Sequence, residues 1–372
     1  LGFFISIFLA SSLVIQAQTD NGMLRMDEFR NPKKRDNIII PDVKGYQTLK
    51  CDFHMHTMFS DGLVWPTIRV QEAWQEGLDV IAITDHIEYQ PHSQDVTKDH
   101  NRSYDIAKNM AAENNIIFIK GTEITRATPP GHFNALFIGD ASDYVEEMEN
   151  SRDKEAINKA VEQDAFIFWN HPGWKYKQIE GSYEWIDFVD ELHKEKSLHG
   201  IEVFNGFGCH KKALDWCVDN NLTVMGTTDA HTVMGYAYDM GDIIHRTMTL
   251  VFAKERTEKS VRDALEAGRT VAWASKYIAG KEEHVKNLFY ACVEVSPSFH
   301  SKNERNYYEV INNSDLYFEM DLKSGNGTSG IILFPRSTQI ITAGEDQKNL
   351  VYEVTNAYVR SDKKLIVTIP LK

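Results

Sequence analysis

From residue 46 to about 280, short apolar runs alternate with amphipathic segments, and nothing else in the chain restricts its fold as much. The runs YQTLKCDFHMH (46–56), LDVIAITDH (78–86), IIFIKGTEIT (116–125), HFNALFIG (132–139), AFIFWNHP (165–172), GIEVFNG (200–206), TVMGTTDAH (223–231) and MTLVFA (248–253) read as strands. Between them, TIRVQEAWQEG, SYDIAKNMAAENN, EAINKAVEQD and TEKSVRDALEAG read as helices, several stopping at Gly or Asn-Asn. Strand–helix–strand units make parallel strands, because each crossover helix must bury its apolar face on the sheet. Seven or eight such units favour a closed α/β barrel over an open doubly wound sheet. Neither GxGxxG nor GxxxxGK[ST] occurs in this stretch to support a nucleotide-binding alternative.

The pattern changes near residue 285. NLFYACVEV, YYEVIN, LYFEMDL, GIILFP, QIITA, LVYEVTNAYV and KLIVTIPL are short, β-rich and separated by turn residues. They predict a small antiparallel β-sandwich over 285–372, following an α/β barrel over 46–284. Residues 19–45, with NPKKRDN in the middle, read as a polar arm. The opening LGFFISIFLASSLVIQAQ (1–18) is shorter than the roughly 20 apolar residues of a membrane span. It reads as an export signal, so a periplasmic or extracellular protein with no membrane span in its mature chain is expected.

Charge and cysteine usage remove some function classes. Forty basic against 54 acidic residues leave a net charge of −14, which disfavours nucleic acid and anionic membranes as partners. The four cysteines are scattered, with no Cys-x-x-Cys spacing for a thiolate zinc site, and read as free thiols.

The polar residues are placed unusually. In CDFHMHTMFSDG, alternation turns Asp52, His54 and His56 to one face of a strand and Cys51, Phe53 and Met55 to the other. Burying such polar groups without partners costs roughly 2 kcal/mol or more each. The same placement recurs at the C-terminal end of one strand after another: Asp61 after the first, Asp85 and His86, Glu123, His171, then Asp229 and His231. His132 opens the strand after Pro-Pro-Gly. Strand ends of a parallel barrel converge on one face, where active sites form. Imidazoles with carboxylates suit Zn, Mn or Fe, and nine such groups, Asp52 and Asp85 aside, are too many for one ion, so two or three divalent metal ions are expected.

In this order, DFHMHTMFSDG, AITDH, GTEIT, GHFN, NHP and TTDAH closely resemble the motifs of the PHP (polymerase and histidinol phosphatase) family, over roughly residues 46–280. The resemblance implies a distorted (β/α)7 barrel with two or three metals at the C-terminal face. It assigns His54, His56, Glu123 and Asp229 to one ion and Asp61, His86 and His231 to a second. His132 and His171 would hold a third, with Glu123 as a bridge, and Asp85 would either orient a ligand or cap the following turn. The leader and the C-terminal β domain are similar to the exported Sb-PDE type, phosphodiesterases acting on small alkyl or aryl phosphodiesters.

The expected activity is therefore metal-dependent hydrolysis of phosphoesters, foremost small organic phosphodiesters, by a metal-bridging hydroxide. A phosphomonoesterase, or a binding protein using the sandwich, is the alternative. An amidohydrolase fits less well, since Glu123 stands where a bridging Lys would be expected and Asp-x-His closes the set. His210 is the expected donor to the leaving oxygen. Arg126 and Lys175 are expected to reach phosphate oxygens, with Trp174 and Tyr176 lining the pocket.

Overall fold

Strand β1 (Gln47–Asp52) starts a ring of seven strands. It pairs in parallel with β2 (Val80–Ile83), and β2 pairs in parallel with β3 (Ile117–Ile124). The fourth strand, β4 (Phe133–Leu136), runs the other way, antiparallel to both β3 and β5 (Phe166–Trp169). The link from Ile124 to Phe133 is too short for a crossover helix, which needs a dozen or more residues, so the chain must double back. Parallel pairing resumes with β6 (Gly200–Asn205), which hairpins into the two-residue β7 (Gly208–Cys209) and pairs with β8 (Thr223–Thr227). Just past β8 the ring closes: Met55 bridges Ala230 in parallel, and His56 N donates to Ala230 O at 3.0 Å. One reversed strand in seven is the distortion of the barrel.

This computed structural model describes residues 26, 34–144, 154–175, 177–178, 183–238 and 245–371. The apolar leader 1–18 and Tyr176 lie outside the described residues. Among those described, no helix is long and apolar enough to cross a membrane. Outer helices follow the strands: α1 (Pro66–Gln75), α2 (Arg102–Glu113), α3 (Glu155–Glu162), α4 (Asp187–Lys194), α5 (Lys211–Asp219) and the single turn α6 (Met234–Ala237). Proline at the first position of α1 suits a helix start, where its missing N–H would have no partner anyway.

The last barrel-like run is not a parallel strand. Strand β9 (Met248–Ala253) lies antiparallel on the outer edge of β1. After α7 (Glu258–Glu266), β10 (Thr270–Ala274) and β11 (Tyr277–Gly280) continue the sheet beyond β9, with β10 packed against β8, where Thr270 Oγ1 donates to Val224 O at 2.7 Å. Next comes α8 (Glu282–Cys292), where NLFYACVEV had predicted a strand from 287 onward. Its buried Val285, Leu288, Phe289 and Cys292 recur at helical spacing, and only β12 (Val293–Val295) is extended.

The C-terminal strands form two facing antiparallel layers. One contains β12, β13 (His300–Lys302), β14 (Arg305–Asn312) and, after β15 (Phe318–Ser324) and β16 (Gly330–Leu333), β17 (Thr338–Gly344). The other is β15 and β16 with β18 (Asn349–Tyr358) and β19 (Lys364–Pro370). Parallel pairing of β11 with β18 joins this layer to the barrel sheet. Helix α8 straddles the boundary expected at 284/285. One apolar cluster runs from Ile81 and Leu250 through Leu288 and Phe289 of α8 to Val354 and Val367 of the sandwich. Arg35–Lys372 is accordingly one compact unit.

Candidate metal centre

Topology explains where each polar residue sits. His54 and His56 leave the end of β1, Asp61 follows on the next turn, and His86 follows β2. Glu123 is the penultimate residue of β3, His171 follows β5, and Asp229 and His231 follow β8. His132 precedes its strand because β4 is reversed, so its N-terminal end reaches the same face. His171 and Asp229 have φ of 29° and 52°, left-handed values that are uncommon outside glycine and gather at functional sites.

Hydrogen-bond partners dictate which imidazole nitrogens face inward. His54 Nδ1 donates to the Glu202 carboxylate at 2.7 Å, leaving its Nε2 as an acceptor. The Ser60 hydroxyl donates to Asp85 at 2.8 Å and so accepts from His56 Nδ1 at 3.3 Å, which frees His56 Nε2 in the same way. Those two nitrogens are 3.1 Å apart. Glu123 Oε2 is 3.2 Å from each, and Asp229 Oδ1 is 3.2 Å from His54 Nε2 and 3.0 Å from His56 Nε2. Four acceptors facing one another at this range repel unless positive charge sits among them. Ligand atoms about 2.0–2.1 Å from a tetrahedral metal stand about 3.3 Å apart, so the spacing fits a cation.

Three further groups adjoin this one. Donor atoms of His56, Asp61, His86 and His231 lie within 4.8 Å of one another, as do those of His54, Glu123 and His171, and of His86, Glu123 and His132. His231 Nδ1 donates to the Asp229 carbonyl at 2.8 Å, turning Nε2 toward Asp61 Oδ2 at 3.3 Å. Glu123 serves both sides, with Oε2 3.3 Å from His86 Nδ1 and Oε1 3.0 Å from His132 Nδ1. The grouping differs from the shells implied by resemblance: His132 and His171 fall in separate groups that each share Glu123, the first with His86 and the second with His54, and His56 also joins Asp61, His86 and His231.

The electrostatics agree with the donor geometry. Burial alone would raise the Glu123 and Asp229 carboxyls, yet the imidazoles around them hold both well below the usual carboxylate range. Burial would lower His56, but the Asp229 and Glu123 carboxylates favour its charged form and carry it up to about 10, a proton on Nε2 standing where a metal cation would otherwise hold the four acceptors together. The pocket thus gathers positive charge against the cost of desolvation. Imidazole and carboxylate donors with no thiolate fit divalent cations in an open, catalytic type of site.

Buried groups behind the donors hold them in place. Glu202, at 0% exposure in the middle of β6, accepts from His54 Nδ1, from His171 N at 2.6 Å, from Asn205 Nδ2 at 2.8 Å and from Thr227 Oγ1 at 2.6 Å. Asn170 donates to Glu123 Oε1 at 2.8 Å and to Asn134 at 2.9 Å. Asp85 binds Thr57 N at 2.6 Å and the Ser60 hydroxyl, capping the turn after His56 and orienting that ligand through Ser60. Asp52 turns to Thr228 and Arg246 instead of the donor cluster. Sequence reasoning missed Glu202 and both asparagines, although a lone carboxylate inside the apolar run IEVF was the available signal.

The donors open into a cleft of about 400 Å³, lined also by Trp174, Asn205, Gly208 and His210. Burial and the neighbouring His171 lower the His210 imidazole to about 4. Arg126 requires correction. It is 1% exposed, is not part of the cleft lining, and pairs with Glu88 at 2.6 Å, because a guanidinium buried this far needs a carboxylate beside it. Lys175 lies over the Trp174 ring, 4.2 Å from its centre.

A solved two-domain protein of Bacteroides vulgatus ATCC 8482, containing a predicted PHP-like metal-dependent phosphoesterase, is similar to this chain at 41% identity and a TM-score of 0.86. The match covers 92% of this chain and 100% of that one. A protein of Bifidobacterium adolescentis ATCC 15703 named as a metal-dependent phosphoesterase is more distant, at 17% identity and a TM-score of 0.40 over 59% of this chain and 96% of that chain. A family profile described as an Ig-like domain matches residues 293–370. No curated protein matches the sequence.

Proposed function

Since the chain belongs to the PHP-like metal-dependent phosphoesterases, we propose that it hydrolyses small organic phosphodiesters in an exported location. His54, His56, Glu123 and Asp229 would hold one divalent ion, Asp61, His86 and His231 a second, and His132 and His171 would complete the set through Glu123. When bound, such ions supply Lewis acidity, neutralising phosphate charge and activating water.

The observation that carries the diester reading is the lining of the cleft. Among the described residues it contains no Lys or Arg. A phosphomonoester approaches two negative charges near neutral pH, whereas a diester bears one. A wall of imidazoles, one amide and an indole suits the less charged group. The amide of Asn205 donates to Glu202 at 2.8 Å and, at 3.4 Å, to Asp229 Oδ2, and the second of these N–H groups is the one that would turn to a phosphoryl oxygen. His210, kept neutral by burial, offers its N–H to the departing ester oxygen, and the Trp174 ring, 5.5 Å from that of His171, gives an organic substituent a face to pack on.

Rates on bis-p-nitrophenyl phosphate and p-nitrophenyl phosphate test the reading. The diester should lead in kcat/KM by about tenfold or more. A preference for the monoester would replace this proposal with a phosphomonoesterase. Export is tested separately, by cell fractionation with N-terminal sequencing of the isolated protein.

A further inference from the structure

A helix outside the ring supplies a buried cation to the seam where the ring closes. Arg69, in α1, is 0% exposed. Its Nε donates to the His56 carbonyl at 2.9 Å, and its Nη2 to the Ala230 carbonyl at 2.8 Å. Its Nη1 donates to the Thr232 carbonyl at 2.8 Å and to Glu72 Oε2 at 2.9 Å. The other Glu72 oxygen accepts from Met234 N at 2.7 Å, which ties the start of α6 into the same junction. One guanidinium therefore grips the end of the first strand and the segment that follows the last.

Burying a guanidinium is costly even beside a carboxylate, so the contacts it makes need a reason. The carbonyls of Ala230 and Thr232 stand on either side of His231, and the third belongs to His56 itself. The rings of His56 and His231 stack at 4.3 Å, and both residues belong to the donor group completed by Asp61 and His86. Asp229 has supports of its own: its N donates to the His54 carbonyl at 2.9 Å, and Asp52 accepts from Thr228 N at 3.1 Å and Thr228 Oγ1 at 2.6 Å. The His231 side chain, by contrast, is 40% exposed. A lysine could not replace the grip, because its three N–H groups share one nitrogen, whereas guanidinium spreads five over three nitrogens in a fixed plane.

We propose that Arg69 is a positioning residue for the metal group of His56, Asp61, His86 and His231, setting the distance between the donors of the first and last strands. This role rests on the metal reading of the donor cluster and not on the choice of ester.

Calorimetric titration of the chelator-treated full chain with Mn(II) or Zn(II) tests the role as a double-mutant cycle. Arg69→Lys should weaken metal binding by about tenfold or more. In a His231→Ala background the same change should cost little further, because the donor that Arg69 places is already gone. An equal loss in both backgrounds, or no loss in either, would overturn the role and leave Arg69 as a support of the fold alone. If the lysine variant does not fold, Glu72→Gln serves in its place, since it loosens Nη1 with Arg69 retained, and the same difference between backgrounds is expected. A wild-type chain that takes up neither ion would overturn the metal centre, and this role with it.

Discussion

His54 and Glu202 are joined by a 2.7 Å hydrogen bond between side chains that are both 0% exposed. The bond fixes the imidazole tautomer, so that Nε2 presents a lone pair to the donor cluster. Because Glu202 also accepts from the backbone of His171, one carboxylate orients two candidate ligands. Glu202→Gln keeps the shape but turns an N–H2 toward groups that themselves donate. Metal affinity should fall by roughly 10- to 100-fold, read by calorimetric titration of the apoprotein. Unchanged affinity would remove Glu202 from the metal centre.

The double variant His54→Ala with His56→Ala deletes both imidazoles that meet Glu123 and Asp229. Turnover should drop to background, and elemental analysis should show the metal lost. The far-UV circular dichroism of the barrel should persist, since both side chains lie beyond the last residue of β1. Activity surviving this change would sink the proposed chemistry.

Chelation gives the reversible form of the same test. A strong chelator should abolish phosphodiesterase activity, and adding back Mn or Zn after its removal should restore it. Indifference to the chelator would mean that the donor cluster has another purpose.

Arg126 and Glu88 form a fully buried ion pair, with neither side chain exposed. Removing one partner strands the other charge, so Arg126→Met should destabilise the fold by about 3–5 kcal/mol in urea denaturation. Adding Glu88→Leu should return much of that loss. In protein that remains folded, kcat/KM should be unaltered, whereas an arginine bound to phosphate would show a raised KM.

His210→Gln should matter in proportion to how poor the leaving group is. An alkoxide needs a proton or a hydrogen bond as it departs, whereas p-nitrophenolate hardly does. The expected loss is about 100-fold for an alkyl leaving group and only a few-fold for p-nitrophenol. Burial holds the His210 imidazole down to about 4, so the group is already neutral throughout the neutral range. Replacing it should therefore leave the shape of the rate profile between about pH 6 and 8 unchanged, and loss of a limb there would contradict the neutral assignment.

The donor types and the strand-end positions of the nine candidate ligands could be read along the chain, because an imidazole or carboxylate closing an apolar run is visible without coordinates. An α/β barrel followed by an antiparallel sandwich was legible for a similar reason, since strand and helix leave different periodicities, whereas the count of seven came from the family resemblance. Helix α8 was not, because FYAC suits either period until packing chooses a face. Glu202 was hidden inside a strand that otherwise reads as plain core.

By itself, then, the sequence determined which chemical groups are available and roughly which end of the barrel they reach. Only the tertiary structure decided how they associate. It reversed β4 to bring His132 to the common face, divided His132 and His171 between two groups around Glu123, and assigned Arg126 to Glu88. The physical reason is that local pattern governs direction and burial within one strand. Distances between side chains on different strands depend on ring closure and register, which no single segment encodes.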